Sequence, residues 1–314
     1  LWKTDLELFE KTVTASDKLT VGEQNALPYQ LLSLLLIGEI ESDTYSEWLA
    51  AVSRQGDDSV LNSVVDSLSI VRRVAAEANQ SAEFQNWLAQ DILGTQSVAL
   101  RTQGPIDRRR LRIEAVIDRT APDESLKTKA LSLVKNPHQT TARALTNTLL
   151  LAATQGDKQL WNSLAAGLKE KQSQPVIQFA YGTALGAFRN QALLVDTLML
   201  ARNGSLSPRS IEAISRSIHI DNRDIAWSWL LKHQDHFEQL DPGLATRMGS
   251  WIIRNHCHQD RLSEFIVLTS QFSQRAANDE KMVRFAHRNV ESCVKLSRLL
   301  NQTLIRFLSK KSTE

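Results

Sequence analysis

Five residues near the C-terminal third have the types that zinc chemistry uses: His233, His236, His256, Cys257 and His258. Imidazole and thiolate are good zinc ligands. His233 and His236 are three apart and share a helical face, while His256 and His258 flank the cysteine after the next apolar run. An antiparallel helix pair would bring the two groups together. The plainer alternative makes them polar groups at helix ends, where the dipole favours a histidine. A second run, Arg108, Arg109, Arg110 and Arg112, has the charge for nucleic acid but no interleaved aromatic, and Asp107, Glu114 and Asp118 offset it. It reads as a solvated helix face rather than a nucleic-acid surface. Trp2, Trp48, Trp87, Trp161, Trp227, Trp229 and Trp251 all fall in apolar-periodic segments and read as packing. Cys293 lies in an apolar stripe and reads as a small core residue.

The chain has no H-E-x-x-H, no G-x-x-x-x-G-K-[ST], no G-x-G-x-x-G, no G-x-S-x-G and no C-x-x-C. No catalytic residue and no metal ligand set is therefore assigned, and no cofactor is expected in this chain.

The elements that would position any site are helices. Of the 314 residues 42% are hydrophobic, enough to bury a core, and 37 basic against 35 acidic residues leave a net charge of +2. That balance gives no argument for nucleic acid or an anionic membrane. Two cysteines allow one disulfide at most and do not make a disulfide framework; the compartment stays open, leaning to the cytoplasm. The longest apolar run, Leu31 to Ile37, is too short to span a bilayer, so no membrane segment is expected. The chain begins with Leu1, which reads as a fragment of a larger protein.

Apolar residues recur at helical spacing almost throughout. Ile211, Ile214 and Ile218 share one face, as do Leu244, Met248, Trp251 and Ile252. Pro122, Pro175, Pro208 and Pro242 each precede such a run, with Ser207 and Asp241 placed to cap two of them. Gly38, Gly156 and Gly204 follow apolar runs as helix C-terminal glycines. Some sixteen helices result, from Asp5–Ser16 to Asp279–Leu308, including Asp107–Arg119, Pro175–Arg189, Pro208–Ile218, Asn222–Gln239 and Pro242–Asn255. Short linkers make neighbours antiparallel. The expected fold is all-α: an α-solenoid or superhelical arch of stacked antiparallel helix pairs, HEAT-like, filling residues 1–314 as a single helical-repeat domain. Repeat identity is too weak to fix a period. Such a fold favours binding over chemistry.

Several phrases, in order, resemble a known domain. Leu19-Thr20-Val21-Gly22-Glu23-Gln24-Asn25, Leu32-Ser33-Leu34-Leu35, Gly38-Glu39-Ile40 and Tyr45 resemble its first helix hairpin. Gly156-Asp157 with Trp161 and Leu164, then Tyr181 to Phe188 and Leu193-Leu194, resemble its central stretch. Asp221 to Leu231 is similar to an N-x-x-G-x-x-x-A-W-x-F-L phrase, with Trp229 for the phenylalanine and no glycine. Val290-Glu291 and Leu300 resemble its closing helix. The domain is the C-terminal helical domain of the zinc aminopeptidases of the aminopeptidase N and endoplasmic-reticulum aminopeptidase family. The resemblance covers nearly the whole chain.

It implies an all-helical bowl that covers the catalytic domain of the same polypeptide, encloses a cavity and shapes peptide access. Zinc and the H-E-x-x-H helix would lie in the parent's catalytic domain, and this chain alone would be inactive. The expected partners are that catalytic domain and the peptide substrate. In such domains arginines of the inner wall meet peptide carboxylates, an interaction suited to guanidinium geometry. Arg216 and Arg223, flanking the Asp221 turn, are the expected substrate-binding residues, against the alternative of a solvated surface. The competing reading is a stand-alone α-solenoid that binds a protein partner.

Overall fold

The computed structural model describes residues 6–55, 58–88, 124–170, 174–271 and 277–311. Among the described residues there are fifteen α-helices and no strand, so the chain is all-α. The expected helix Asp107–Arg119, the basic run inside it, Trp2 and Pro122 lie outside the described residues. By its contacts the chain divides into two compact units, residues 1–117 with 295–314 and residues 118–294.

The first unit contains α1 (Leu6–Thr14), α2 (Val21–Leu36), α3 (Ser42–Gln55), α4 (Asp58–Glu77) and α5 (Ser81–Trp87). Thr20 and Glu23 form a capping box that starts α2, satisfying two of the orphan N–H groups of its first turn. α2 packs on α3 and α4, and α4 on α5. Their shared core stacks the Tyr45 and Trp87 rings with centroids 6.2 Å apart. The buried polar ends find partners: Trp87 Nε1 donates to Ser46 Oγ at 2.7 Å. α2 runs through Pro28, whose carbonyl accepts from the Ser67 hydroxyl of α4 at 3.3 Å.

The second unit contains α6 (Glu124–Lys135), α7 (Ala142–Thr154), α8 (Lys158–Glu170), α9 (Pro175–Gly186), α10 (Gln191–Arg202), α11 (Pro208–Arg216), α12 (Arg223–Leu240), α13 (Leu244–Ile252) and α14 (Gln259–Gln271), with the final helix α15 (Ala277–Lys311) belonging to it as far as Val294. Its contacts define one continuous row and two further pairs. α7, α9, α11 and α13 pack each on the next; α8 packs on α6, and α12 on α10. Ala142, Pro175 and Pro208 start helices 33 residues apart, and Leu244 follows 36 later. Four helix starts thus recur at near-equal spacing, although few positions at that spacing repeat their residue type.

Polar ties recur at the same interval. Asn222 Nδ2 donates back to the Phe188 and Arg189 carbonyls at 2.9 and 3.1 Å, and Asn255 Nδ2 to the Ile218 carbonyl at 3.0 Å. Each asparagine bridges its turn to the turn one repeat earlier, satisfying carbonyls left over at helix ends.

Ser207 caps α11 as read, accepting from Ser210 N–H. Asp241 does not cap α13: the helix begins only at Leu244, after Gly243 at φ 84°, and the Asp241 carboxylate pairs with Arg247 instead. Gly38 and Gly204 have positive φ, but Gly156 is absent from that class; a Cβ there would lie 2.6 Å from the Phe188 ring, so close packing rather than a left-handed turn calls for glycine.

Candidate functional site

The second unit's α9, α11 and α13 carry aromatic rings and guanidinium groups in alternation. Phe179 stands on α9, Arg216 ends α11, Trp251 is near the end of α13, Arg254 lies in the 3-10 turn Ile253–Asn255, and Phe285 is on α15. The Arg216 guanidinium carbon is 4.6 Å from the Trp251 ring centre and 5.9 Å from that of Phe179. Arg254 is 4.1 Å from Trp251 and 4.7 Å from Phe285. A guanidinium held over a ring uses its face for the stack and keeps its N–H edge for a ligand. At a helix C-terminus such a cation is also favoured by the dipole.

Arg216 is exposed, and no carboxylate pairs with it among the described residues. Its natural partner would be Glu212, four residues earlier on the same helix. Both Glu212 oxygens are engaged elsewhere: Oε1 accepts from Trp251 Nε1 at 3.1 Å, and Oε2 lies 3.5 Å from Arg247 Nε. Arg247 is in turn paired with Asp241 and with Asp279, the latter at 3.4 Å. The arrangement neutralises Arg247 and leaves Arg216 as an unpaired cation on an aromatic shelf. It is suited to receive a carboxylate through two parallel N–H groups.

The two expected substrate-binding arginines have different neighbours. Arg216 is on this face. Arg223 starts α12, donates from Nη1 to the Ile220 carbonyl at 3.1 Å, lies with Nε 3.9 Å from Asp224, and has an 11% exposed side chain.

The histidine and cysteine groups are drawn to separate tasks. His233 packs on Trp229 with ring centres 4.8 Å apart, and His236 on Phe237. His258 Nδ1 accepts from Asp260 N–H at the start of α14. Cys257 and Cys293 form a disulfide, so Cys293 is a cross-link as well as a core residue. Among the described residues no three His, Cys, Asp or Glu groups converge on a metal site. No described helix is long and apolar enough to cross a membrane.

His256 is buried against the Trp227 ring. Burial pushes its imidazole down to about 4, with the Arg223 and Arg261 charges adding to it and Asp224 opposing. Trp227, wholly buried on α12, donates its indole N–H to Glu264 of α14 at 2.6 Å, and Arg261 pairs with both Glu264 and Asp224. Burial raises the Glu264 carboxyl, but the Arg261 and Trp227 hydrogen bonds outweigh it and hold the group below its ordinary value. Trp227 is thus a packing residue. Trp229 rests on His233 and Phe237 of its own helix.

A shallow apolar groove of about 410 Å³ also runs along α2 in the first unit, lined by Ala26, Tyr29, Gln30, Ser33, Leu34 and Ile37. It holds no charged group.

Glu212, Trp251 and Arg254 were not singled out as binding residues from the sequence. Their i,i+4 and i,i+3 spacings to Arg216 and to each other were visible, but nothing in the chain said that α11 and α13 stand side by side. No family model matches the chain, and no curated protein matches it.

Proposed function

We propose that this chain is a non-catalytic helical binding domain that receives peptide along the α9–α11–α13 face and takes a peptide carboxylate on Arg216. We place it in a zinc-dependent aminopeptidase, where chemistry belongs to another domain and this one shapes peptide access. The observation that carries the reading is Arg216 itself: an exposed guanidinium over the Trp251 ring, whose local carboxylate is committed to the neighbouring helix. The assignment to an aminopeptidase rests on the ordered phrases from Leu19 to Leu300. The resemblance supports a peptide-binding role, and α7, α9, α11 and α13, each packed on the next, would offer it a continuous face.

Two measurements test it. The purified chain, with and without added zinc, should hydrolyse no aminoacyl substrate; zinc-dependent release of an N-terminal residue refutes the non-catalytic reading. The coding sequence upstream of Leu1 should contain an H-E-x-x-H followed by a glutamate in the same reading frame. An intact upstream sequence without it leaves the stand-alone scaffold as the better reading.

A further inference from the structure

We infer that Glu212 is a positioning residue for carboxylate capture: it sets the plane of the Trp251 indole and thereby the direction in which Arg216 presents its N–H edge. The inference rests on the reading of Arg216 given above and deepens it.

An arginine on a helix end has several rotatable bonds and, in water, samples many directions. Bidentate capture of a carboxylate needs one of them. The Trp251 ring supplies a surface at 4.6 Å that restricts the guanidinium to a plane, but an indole free to turn would carry that plane with it. Here the ring is tied at its polar edge. Trp251 Nε1 donates to Glu212 Oε1 at 3.1 Å, and the other Glu212 oxygen faces Arg247 Nε at 3.5 Å. Arg247 is held from α15 by Asp279 and from the α12–α13 turn by Asp241. Orientation is therefore passed from α15 and the α12–α13 turn through Arg247 and Glu212 to the indole, and from the indole to Arg216. The same carboxylate, by facing α13, is withheld from Arg216, so one side chain both aims the cation and leaves it unneutralised. The ligand is the free C-terminal carboxylate of a peptide.

The test uses the full 314-residue chain and two probes: an N-acetylated hexapeptide ending in a free carboxylate, and the same peptide ending in an amide. Calorimetric titration gives the ratio of their affinities. In the wild type the acid should bind about tenfold or more tighter, as expected of a charge-assisted bidentate contact. Arg216→Met should bring the ratio to about one. Glu212→Leu should lower the ratio at least threefold, whereas Glu212→Gln, which keeps an acceptor for the indole, should stay within about twofold of wild type. Trp251→Phe, which keeps a ring but no N–H, should behave like Glu212→Leu and serves if that variant does not fold. The Trp251 indole N–H resonance, assigned by its loss in Trp251→Phe, should move in Glu212→Leu and not in Glu212→Gln.

A merely structural role would weaken acid and amide alike and leave the ratio unchanged. If wild type binds acid and amide equally, or Arg216→Met keeps the preference, the reading of Arg216 falls and this inference with it. If Arg216→Met loses the preference while Glu212→Leu and Trp251→Phe both keep it, only the positioning role falls.

Discussion

Buried against Trp227 and facing Arg223 and Arg261, the His256 imidazole stays neutral in the folded chain down to about pH 4. In the unfolded chain it takes a proton near its ordinary value of 6.5. Between those two values the unfolded state holds more protons, so the His256 contribution to stability is whole above about pH 6.5 and is lost as the pH drops toward 4. Burial is the leading cause, with both arginines adding to it and the Asp224 carboxylate opposing. His233 is lowered as well, chiefly by burial and then by the nearby cations, and contributes with the same sign. Denaturant midpoints of wild type and His256→Phe at pH 7.5, 6 and 5 should show the wild type losing more on acidification. Parallel curves would mean that His256 does not carry the effect. The sequence displayed His256 as one of five ligand-like residues, and its type is right for a metal; what it did not display is the partner each residue meets. Cys257 finds Cys293, His258 finds a backbone N–H, and His233 a tryptophan face. Residue type was legible and neighbourhood was not: the cysteine partner lies 36 residues away, and the histidines meet local groups that no ligand-like spacing singles out.

The α7–α9–α11–α13 stack depends on helices that approach closely at particular points. On α9, a Cβ at Gly186 would lie 2.1 Å from the Ile214 carbonyl oxygen and 2.4 Å from Ser217 Oγ of the α11 end. Backbone cannot yield as a flexible side chain does, so Gly186→Ala should part α9 from α11 at about 1–3 kcal/mol or more. Ser207→Ala, which removes the α11 cap to Ser210 N–H, should cost about 1 kcal/mol. Thermal unfolding of the two variants orders them: a Gly186→Ala loss no larger than that of Ser207→Ala would show that the approach is not a constraint. Most elements could be read beforehand. The starts of α9 and α11 fall where the prolines and apolar periodicity put them, since these signals act within one turn of helix. α13 starts two residues late because Pro242 belongs to a turn completed by Gly243. The close approach at Gly186 was hidden, because a glycine that admits a neighbour looks in the sequence like any glycine in a small-residue run.

At the scale of the molecule, each unit has its own core and the second carries a covalent tie between the Ile253–Asn255 turn region and α15. The disulfide closes a span of 36 residues, for which the chain-entropy account gives a stabilisation of about 4 kcal/mol by restricting the unfolded ensemble. Reduction, or Cys257→Ala with Cys293→Ala, should lower the denaturant midpoint of the second unit accordingly; an unchanged midpoint would show that the bond does not form or does not restrict the unfolded chain. The all-helical class was legible from composition and periodicity, whereas the spacing of helix starts and asparagine ties was not, since it is not written in matching residues. The same bond has a mechanical meaning. A chain pulled from its ends cannot pay out the residues between Cys257 and Cys293 while the bond is intact. The oxidised molecule should therefore extend to a contour shorter than the reduced one by roughly 120–130 Å, at about 3.3–3.6 Å per residue. That missing length would identify, in a single-molecule trace, which part of the chain is under load.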